Sequence, residues 1–387
     1  MTQLSIDCQP TSWLLAPVVS VALTVLLVLP AVGFAADDVA SSGVIVVYHH
    51  VAEDTPPSTT ISPDDFRGHL VYLRNNGYVV LRLDDMVGRL RGGEGLPDRA
   101  VAITFDDGYI SIYETAFPLL QEFDMPFALF VSTEPVDGRR PGYMNWEQIR
   151  EMSDAGVLIA NHTLTHAHLL EQVPGETDGE RLARVRREIV AAEERITAET
   201  GQAWRYLAYP YGEYDPQIKA LLAELGFTGF AQNSGAVGVA ADFFALPRYP
   251  LAGIYANLGS AATKLESLAF AITRLSPESP VTQLRNPVVR LQFDIGNSSG
   301  SADGSANNSA NDVATSLANY TLSAINCFLN NKPVPLNWIN RAEGIVELAP
   351  EEEAGGRRWN YTCTARANDS RRYYWYSVPW FNPDIPE

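Results

Sequence analysis

The residues best suited to chemistry are Asp106 and Asp107, in the run Thr104, Phe105, Asp106, Asp107, Gly108, Tyr109 that closes the apolar stretch Val101 to Phe105. Two adjacent carboxylates beside a buried strand need partners, because desolvated charge is expensive. Successive side chains at a strand end diverge, so one Asp can ligate a metal while its neighbour takes a proton from the metal's water. A solvent-exposed turn is the plain alternative for an isolated Asp-Asp-Gly. A second cluster, Asn161, His162, Thr163, Leu164, Thr165, His166, directly follows the apolar run Leu158 to Ala160. The His-x-x-x-His spacing puts both imidazoles on one side of a helical or looped turn, which suits two ligands of one cation; two satisfied surface histidines are the alternative. The chain has only 6 histidines, so this pair beside an unexplained acidic pair is not readily put down to chance. Two His and one carboxylate leave coordination positions open for water and substrate. A third run, Tyr209, Pro210, Tyr211, Gly212, Glu213, Tyr214, also follows a strand-like segment. Its Pro and Gly fix a rigid loop whose backbone N–H can serve as an oxyanion donor, although alone it reads as a generic turn.

These runs sit in a repeating grammar. From Val44 to Phe270, short apolar runs (Val44 to Tyr48, Val79 to Leu81, Val101 to Phe105, Phe127 to Ser132, Leu158 to Ala160, Tyr206 to Tyr209) alternate with amphipathic stretches. The latter are Ser62 to Asn76, Tyr113 to Phe123, Asn145 to Ala155, Glu180 to Thr200 and Asp215 to Leu225. Such alternation predicts a parallel sheet flanked by helices, closed or open, and Gly77, Gly156, Gly201 and Gly226 stand where helix stops are wanted. After about Ser276 the pattern is β-rich: Val288 to Phe293, Thr321 to Leu329, Ile345 to Leu348, Trp359 to Thr364 and Tyr373 to Val378 predict a small antiparallel sandwich. The Asn/Ser/Gly/Ala/Asp-rich stretch 296–316 predicts a flexible loop. The aromatic run Tyr373 to Trp380 is open between core packing and a sugar-stacking face.

The predicted organisation is an export segment or anchor over 1–35, an α/β domain over 36–275 and an all-β sandwich over 285–387. The segment Trp13 to Ala35 is apolar and ends in Gly33, Phe34, Ala35, a small-residue cleavage pattern, but no Lys or Arg precedes it. It reads as a cleaved signal, with an uncleaved membrane-associated anchor as the alternative. The chain is therefore expected to be exported: periplasmic, extracellular or attached to the cell envelope. Once Cys8 leaves with that segment, Cys327 and Cys363 remain as an even pair in the C-terminal region and predict a disulfide. With 28 basic and 46 acidic residues among 387, the net charge of −18 disfavours nucleic acid and anionic lipid while leaving a neutral glycan compatible.

In order and spacing, Thr104 to Tyr109, His162 to His166 and Tyr209 to Gly212 resemble the first motifs of the NodB-homology polysaccharide deacetylases, carbohydrate esterase family four. The stretch Met144 to Thr165, with Trp146 and Gly156, is similar to that family too, and the likeness covers Val44 to Leu251. The resemblance implies a distorted parallel (β/α) barrel, a divalent metal usually written as zinc, the ligands Asp107, His162 and His166, and Asp106 as catalytic base. It also implies hydrolysis of carbon–nitrogen bonds in an N-acetylated polysaccharide. Many members carry an Arg two residues before the motif's proline that pairs with the base; Ala208 stands there in this chain, which points to Arg248, in Leu246, Pro247, Arg248. Many also end in Leu-x-His, whose imidazole is the general acid, whereas no histidine follows His168. The opening Val46, Val47, Tyr48, His49, His50 resembles the branch that deacetylates poly-N-acetylglucosamine, where an early His is the acid, and so points to His49. Tyr211 is expected to give the oxyanion N–H, and Trp146, Tyr209 and Tyr211 either border the sugar or pack.

Two further readings stand beside this one. The same chemistry attacks esters, so an O-acetyl esterase on a xylan-like glycan shares every residue. A non-catalytic glycan-binding protein would rest on the aromatic C-terminal strand, although both aspartates and both histidines argue against a relic.

Overall fold

Aliphatic and β-branched runs long enough to bury both faces become the parallel strands of this chain, and the amphipathic stretches between them become the covering helices. In a computed structural model, residues 39–40, 42–294, 320–368 and 370–386 are described. The expected export segment and the loop expected at 296–316 lie outside the described residues.

The principal sheet contains β1 (Ser42–Tyr48), β2 (Val79–Val80), β3 (Ala100–Phe105), β4 (Phe127–Val131), β5 (Leu158–Asn161), β6 (Tyr206–Ala208), β7 (Thr228–Phe230), β8 (Val237–Gly238) and β9 (Tyr249–Pro250). Its order is β7-β6-β5-β4-β3-β1-β8, with β2 also on β3 and β9 also on β1. All pairs are parallel except that of β8 with β1. The segment 246–251 hydrogen-bonds both to β7, at one end of this curled sheet, and to β1, next to the other end. Leu246 exchanges bonds with Gly229 and Ala231 beside β7, and Leu251 N–H donates to Val47 of β1. Arg248 is thereby carried between those strands, and every other functional side chain expected from sequence on this sheet follows the carboxyl end of a parallel strand, where open α/β sheets place their ligands.

Helices α1 (Pro63–Asn75), α2 (Leu83–Arg91), α3 (Phe117–Phe123), α4 (Thr133–Asp137), α5 (Trp146–Asp154), α6 (Asp178–Thr200), α7 (Pro216–Leu225) and α8 (Leu258–Leu265) accompany it. The helix expected from Tyr113 begins as a π-turn, Ile112–Ala116, before α3. Capping boxes at Asn145/Gln148 and Thr177/Glu180 start α5 and α6 by satisfying first-turn N–H groups. Among the described residues no helix is long and apolar enough to cross a membrane.

The C-terminal strands are β10 (Leu268–Ala269), β11 (Ile272–Ser276), β12 (Val289–Phe293), β13 (Ile325–Leu329), β14 (Lys332–Val334), β15 (Leu336–Asn340), β16 (Ile345–Leu348), β17 (Arg358–Arg366) and β18 (Tyr373–Phe381). They make a five-stranded sheet, β10-β18-β17-β13-β14, and a four-stranded sheet, β11-β12-β16-β15. Leu291 and Phe293 of the second share one apolar cluster with Ile325, Tyr361 and Trp380 of the first. Strands β10 and β11 precede the boundary drawn from sequence at 275–285, because the half-exposed Ile272–Ser276 lacks the apolar alternation that marks its partner β12. The strand expected from Thr321 starts at Ile325, after a 3-10 turn. In the aromatic run, Ser377 to Phe381 is buried, and Arg274 lies 4.2 Å from the Trp380 ring centre, so that end of β18 is core.

Cys327 and Cys363 are bonded, and they are directly paired residues of neighbouring strands β13 and β17. The bridge staples one sheet rather than crossing between two. Closing a 36-residue separation contributes about 2 to 4 kcal/mol. Thiol titration of a denatured, unreduced chain beginning at Ala36 should find close to none; reactive Cys327 and Cys363 would contradict the bond.

Candidate active site

The candidate site is assembled by loops that leave β1, β3, β5 and β6, together with the segment that carries Arg248. Asp107 Oδ1 lies 3.2 Å from both His162 Nε2 and His166 Nε2, and the three donor atoms fall within 4.8 Å of one another. His162 Nδ1 is 2.8 Å from the Ala208 carbonyl, which can only accept, so Nδ1 carries a proton and Nε2 is the nitrogen that faces Asp107. Asp107 Oδ1 and His162 Nε2 are buried, and among the described residues neither has a hydrogen-bond partner. A carboxylate oxygen and an imidazole nitrogen that face each other in this way suit a cation between them, and the Asp/His/His set fits a divalent metal of the zinc type. Burial pushes the His162 imidazole down, but the charges of Asp106 and Asp107 outweigh it and raise the group above its ordinary value. Burial likewise pushes Asp107 up, yet the His162 and His166 imidazoles, each 3.2 Å from its Oδ1, hold it well below the usual carboxylate range. Both shifts describe a cavity that draws positive charge.

The loop that presents the two histidines is pinned on every side. Asn161 Oδ1 accepts from Thr163 N–H at 2.8 Å, and its amide donates to Ile189 O and Glu193 of α6. Glu188, also on α6, accepts from the backbone and the hydroxyl of Thr165. Thr163 and His166 both have positive φ, 69° and 60°, so the spacing is realised in a loop rather than a helical turn. Such backbone persists only where its surroundings over-determine it.

Asp106 is fully buried, and Arg248, equally buried, grips it with two bonds of 2.7 Å. The guanidinium also donates to Thr104 and to the Ala231 carbonyl. Burial would raise the Asp106 carboxyl, but the Arg248 charge, with His162 and the paired bonds, lowers it below its ordinary value and keeps it ionised. Ala208, which stands where an Arg was missed in the sequence, spends its carbonyl on His162 instead.

His49 faces the same cluster: its Nε2 lies 3.3 Å from Gln232 Nε2, and the charges of Asp107 and Asp106 act on it. Burial nonetheless holds this imidazole below its ordinary value. Tyr211 takes φ +59°, and its ring centre lies 4.6 Å from that of His166 and 3.7 Å from that of His168. Gly212, at φ +71°, touches the next loop so closely that a Cβ would come within 2.9 Å of Gln232 N. Only glycine fits there.

The aromatic residues offered as sugar contacts divide. Tyr209 is fully buried with its hydroxyl bonded to the Phe244 carbonyl, so it packs the core and does not border a substrate. Trp146 is 8% exposed, gives its indole N–H to Asp137 and lies under the Arg195 guanidinium, again a packing position. Aromatic residues beside loops serve either purpose, and their sequence context is the same. Sequence reasoning also missed Tyr109, which lies beside Asp107 and stacks on His50 at 3.7 Å, and the His168–Glu213 pair. Tyr109 was legible as the last residue of its motif; nothing in the sequence links His168 to Glu213.

Residues 93–230 match the family model described as polysaccharide deacetylase. That stretch is similar to a polysaccharide deacetylase domain. It contains Asp106, Asp107, His162, His166 and Tyr211, whereas His49 and Arg248 lie outside the matched residues. The chain is 27% identical over 220 residues to the poly-beta-1,6-N-acetyl-D-glucosamine N-deacetylase of Escherichia coli (strain K12), covering 48% of this chain but only 33% of that protein's length. It is 26% identical to the identically named protein of Staphylococcus epidermidis, over 49% of this chain and 67% of that one. The structure of IcaB from Ammonifex degensii superposes at TM-score 0.50 with 27% identity over 59% of this chain and 98% of that one. Streptococcus pyogenes deacetylase PplD, in complex with acetate, shares the fold of the deacetylase domain at TM-score 0.52 with 22% identity, over 58% of this chain and 98% of that one.

Proposed function

We propose that this chain hydrolyses N-acetyl groups of a polysaccharide, of the poly-N-acetylglucosamine or chitin-like class, releasing acetate and leaving free amines. The observation that carries the reading is the convergence of Asp107, His162 and His166 on one point beside an Asp106 clamped by Arg248. The names of its E. coli and staphylococcal relatives support the substrate class. A divalent cation held by Asp107, His162 and His166, zinc in the first place, would supply Lewis acidity to the acetyl carbonyl and a water of lowered pKa. Asp106, held ionised by Arg248, takes the proton of the attacking water. The Tyr211 N–H is assigned to the oxygen on which charge develops, its left-handed turn setting the direction of the donor. His49 delivers a proton to the departing nitrogen. Around this site we read a distorted (β/α) barrel closed through segment 246–251, followed by a β-sandwich domain that includes β10 and β11. The Cys327–Cys363 bond and the apolar N-terminal segment support an exported protein, in the periplasm, outside the cell or at its envelope.

Acetate release from N-acetylglucosamine oligomers of different linkage, set against acetylated xylan, tests the reading. Release from the xylan alone would make the chain an O-acetyl esterase. The role of His49 has its own test. His49→Ala should fold, keep its metal and lose about 10² to 10⁴ of its amide hydrolysis. An activated aryl ester, whose leaving group needs little protonation, should suffer much less. Equal losses on both substrates would assign His49 to positioning and direct attention to His50.

A further inference from the structure

The strands beyond the deacetylase domain reach its active-site loop through Phe381, which packs on Tyr214, through Arg358, 3.6 Å from Glu213, and above all through the buried Arg357. Arg357, immediately before β17, is 4% exposed and grips Glu213 with Nε on Oε1 and Nη2 on Oε2. Its Nη1 donates to the carbonyls of Pro383 and Ile385, and its own carbonyl accepts from Asn382 N–H, so the guanidinium is anchored in the C-terminal sheets and tail. Glu213 is fully buried in the loop that carries Tyr211, and its Oε2 also meets His168 Nδ1 at 3.1 Å. The His168 ring lies flat on Tyr211, 3.7 Å between centres and 7° between planes, and Tyr211 stands edge-on to His166. The neighbouring Arg358 places its guanidinium 5.3 Å from the Tyr211 ring centre.

This loop has reason to need an external grip. Tyr211 and Gly212 are consecutive residues at positive φ, and for a bulky Tyr that conformation survives only under outside constraint. On one side Gly212 packs closely against Gln232. From the other side the loop is held by Glu213, whose buried carboxylate in turn requires a charged partner.

We propose that Arg357 is a positioning residue of the active site: acting through Glu213, it fixes His168 and Tyr211 and thereby the orientation of His166, so that the C-terminal sheets complete the catalytic scaffold. The inference rests on the deacetylase reading for its effect on turnover, and on geometry alone for its effect on metal binding.

The test uses full-chain point variants, with Co²⁺ as the metal probe, circular dichroism as the check on folding, and acetate release for turnover. Folded Arg357→Met should bind Co²⁺ about tenfold more weakly and lose about tenfold or more in kcat, the range seen when the support of a metal ligand is removed. Arg357→Lys, which keeps a charge near Glu213, should recover part of both losses. Because the residues act in series, Arg357→Met combined with Glu213→Gln should be no worse than the poorer single variant. Should Arg357→Met not fold, Glu213→Gln must by itself show both losses. The proposal is overturned by wild-type Co²⁺ affinity and kcat in folded Arg357→Met, by the same result in Glu213→Gln, or by losses that multiply in the double variant. Co²⁺ binding needs no substrate. A wild-type chain that releases no acetate from any glycan would therefore refute the deacetylase reading and leave the Co²⁺ comparison to decide this one.

Discussion

His166→Ala should yield a folded chain that no longer retains a divalent cation and releases acetate at close to the background rate. The His166 side chain is 26% exposed, so its loss removes little packing, unlike that of the fully buried His162. Two candidate ligands remain, one of them the carboxylate whose buried Oδ1 has no hydrogen-bond partner among the described residues. Lewis-acid stabilisation of the developing charge is worth several kcal/mol, and about 4 kcal/mol corresponds to a loss of about 10³-fold in rate. Metal analysis of the purified variant beside its activity gives the answer. Wild-type metal stoichiometry in His166→Ala would remove His166 from the ligand set.

Arg248→Met should be the most destabilising single change at the site. Met roughly fills the volume, but Asp106 is fully buried and both of its oxygens lose a 2.7 Å charge-assisted bond. Removing one partner of such a pair costs about 3 to 5 kcal/mol, because the other charge is left uncompensated. Activity should fall to background, since a carboxylate that protonates to escape burial cannot take a proton from water. The second change Asp106→Asn should restore much of the thermal midpoint, by removing the stranded charge, and none of the activity. Equal midpoints for Arg248→Met and the wild type would show that another cation compensates Asp106.

Much of this site could be read from the chain because strand, turn and ligand are contiguous there. Val101 to Phe105 followed by Asp106 and Asp107, and Leu158 to Ala160 followed by His162, carry both the buried strand and what must stand at its end. Arg248 was reachable by a different route, since Ala208 leaves Asp106 without the arginine that the resemblance implies and Arg248 stands in a comparable motif. What stayed hidden depends on partners far apart in sequence. Arg357 and Glu213 are 144 residues apart, and no local pattern marks either as buried. The burial of Tyr209 depends on the Phe244 carbonyl, 35 residues away. Helix α2 was missed for another reason. Its core face, Leu83, Met86, Val87 and Leu90, has full helical spacing, but Gly88 within it and Gly92 and Gly93 after it give the stretch the look of a loop. The C-terminal boundary falls too late because β11 is half-exposed, with even Leu275 facing outward, so the start of its sheet shows only in its pairing with β12.

The central claim, metal-dependent removal of N-acetyl groups, is tested most directly by acetate release from β-1,6-linked N-acetylglucosamine oligomers. Wild-type chain would be assayed as purified, after chelation, and after zinc is returned. The account predicts acetate and a matching number of new amines from the purified chain, loss of both on chelation, and recovery with zinc. Turnover that is indifferent to the chelator, with the metal shown to be gone, would contradict it.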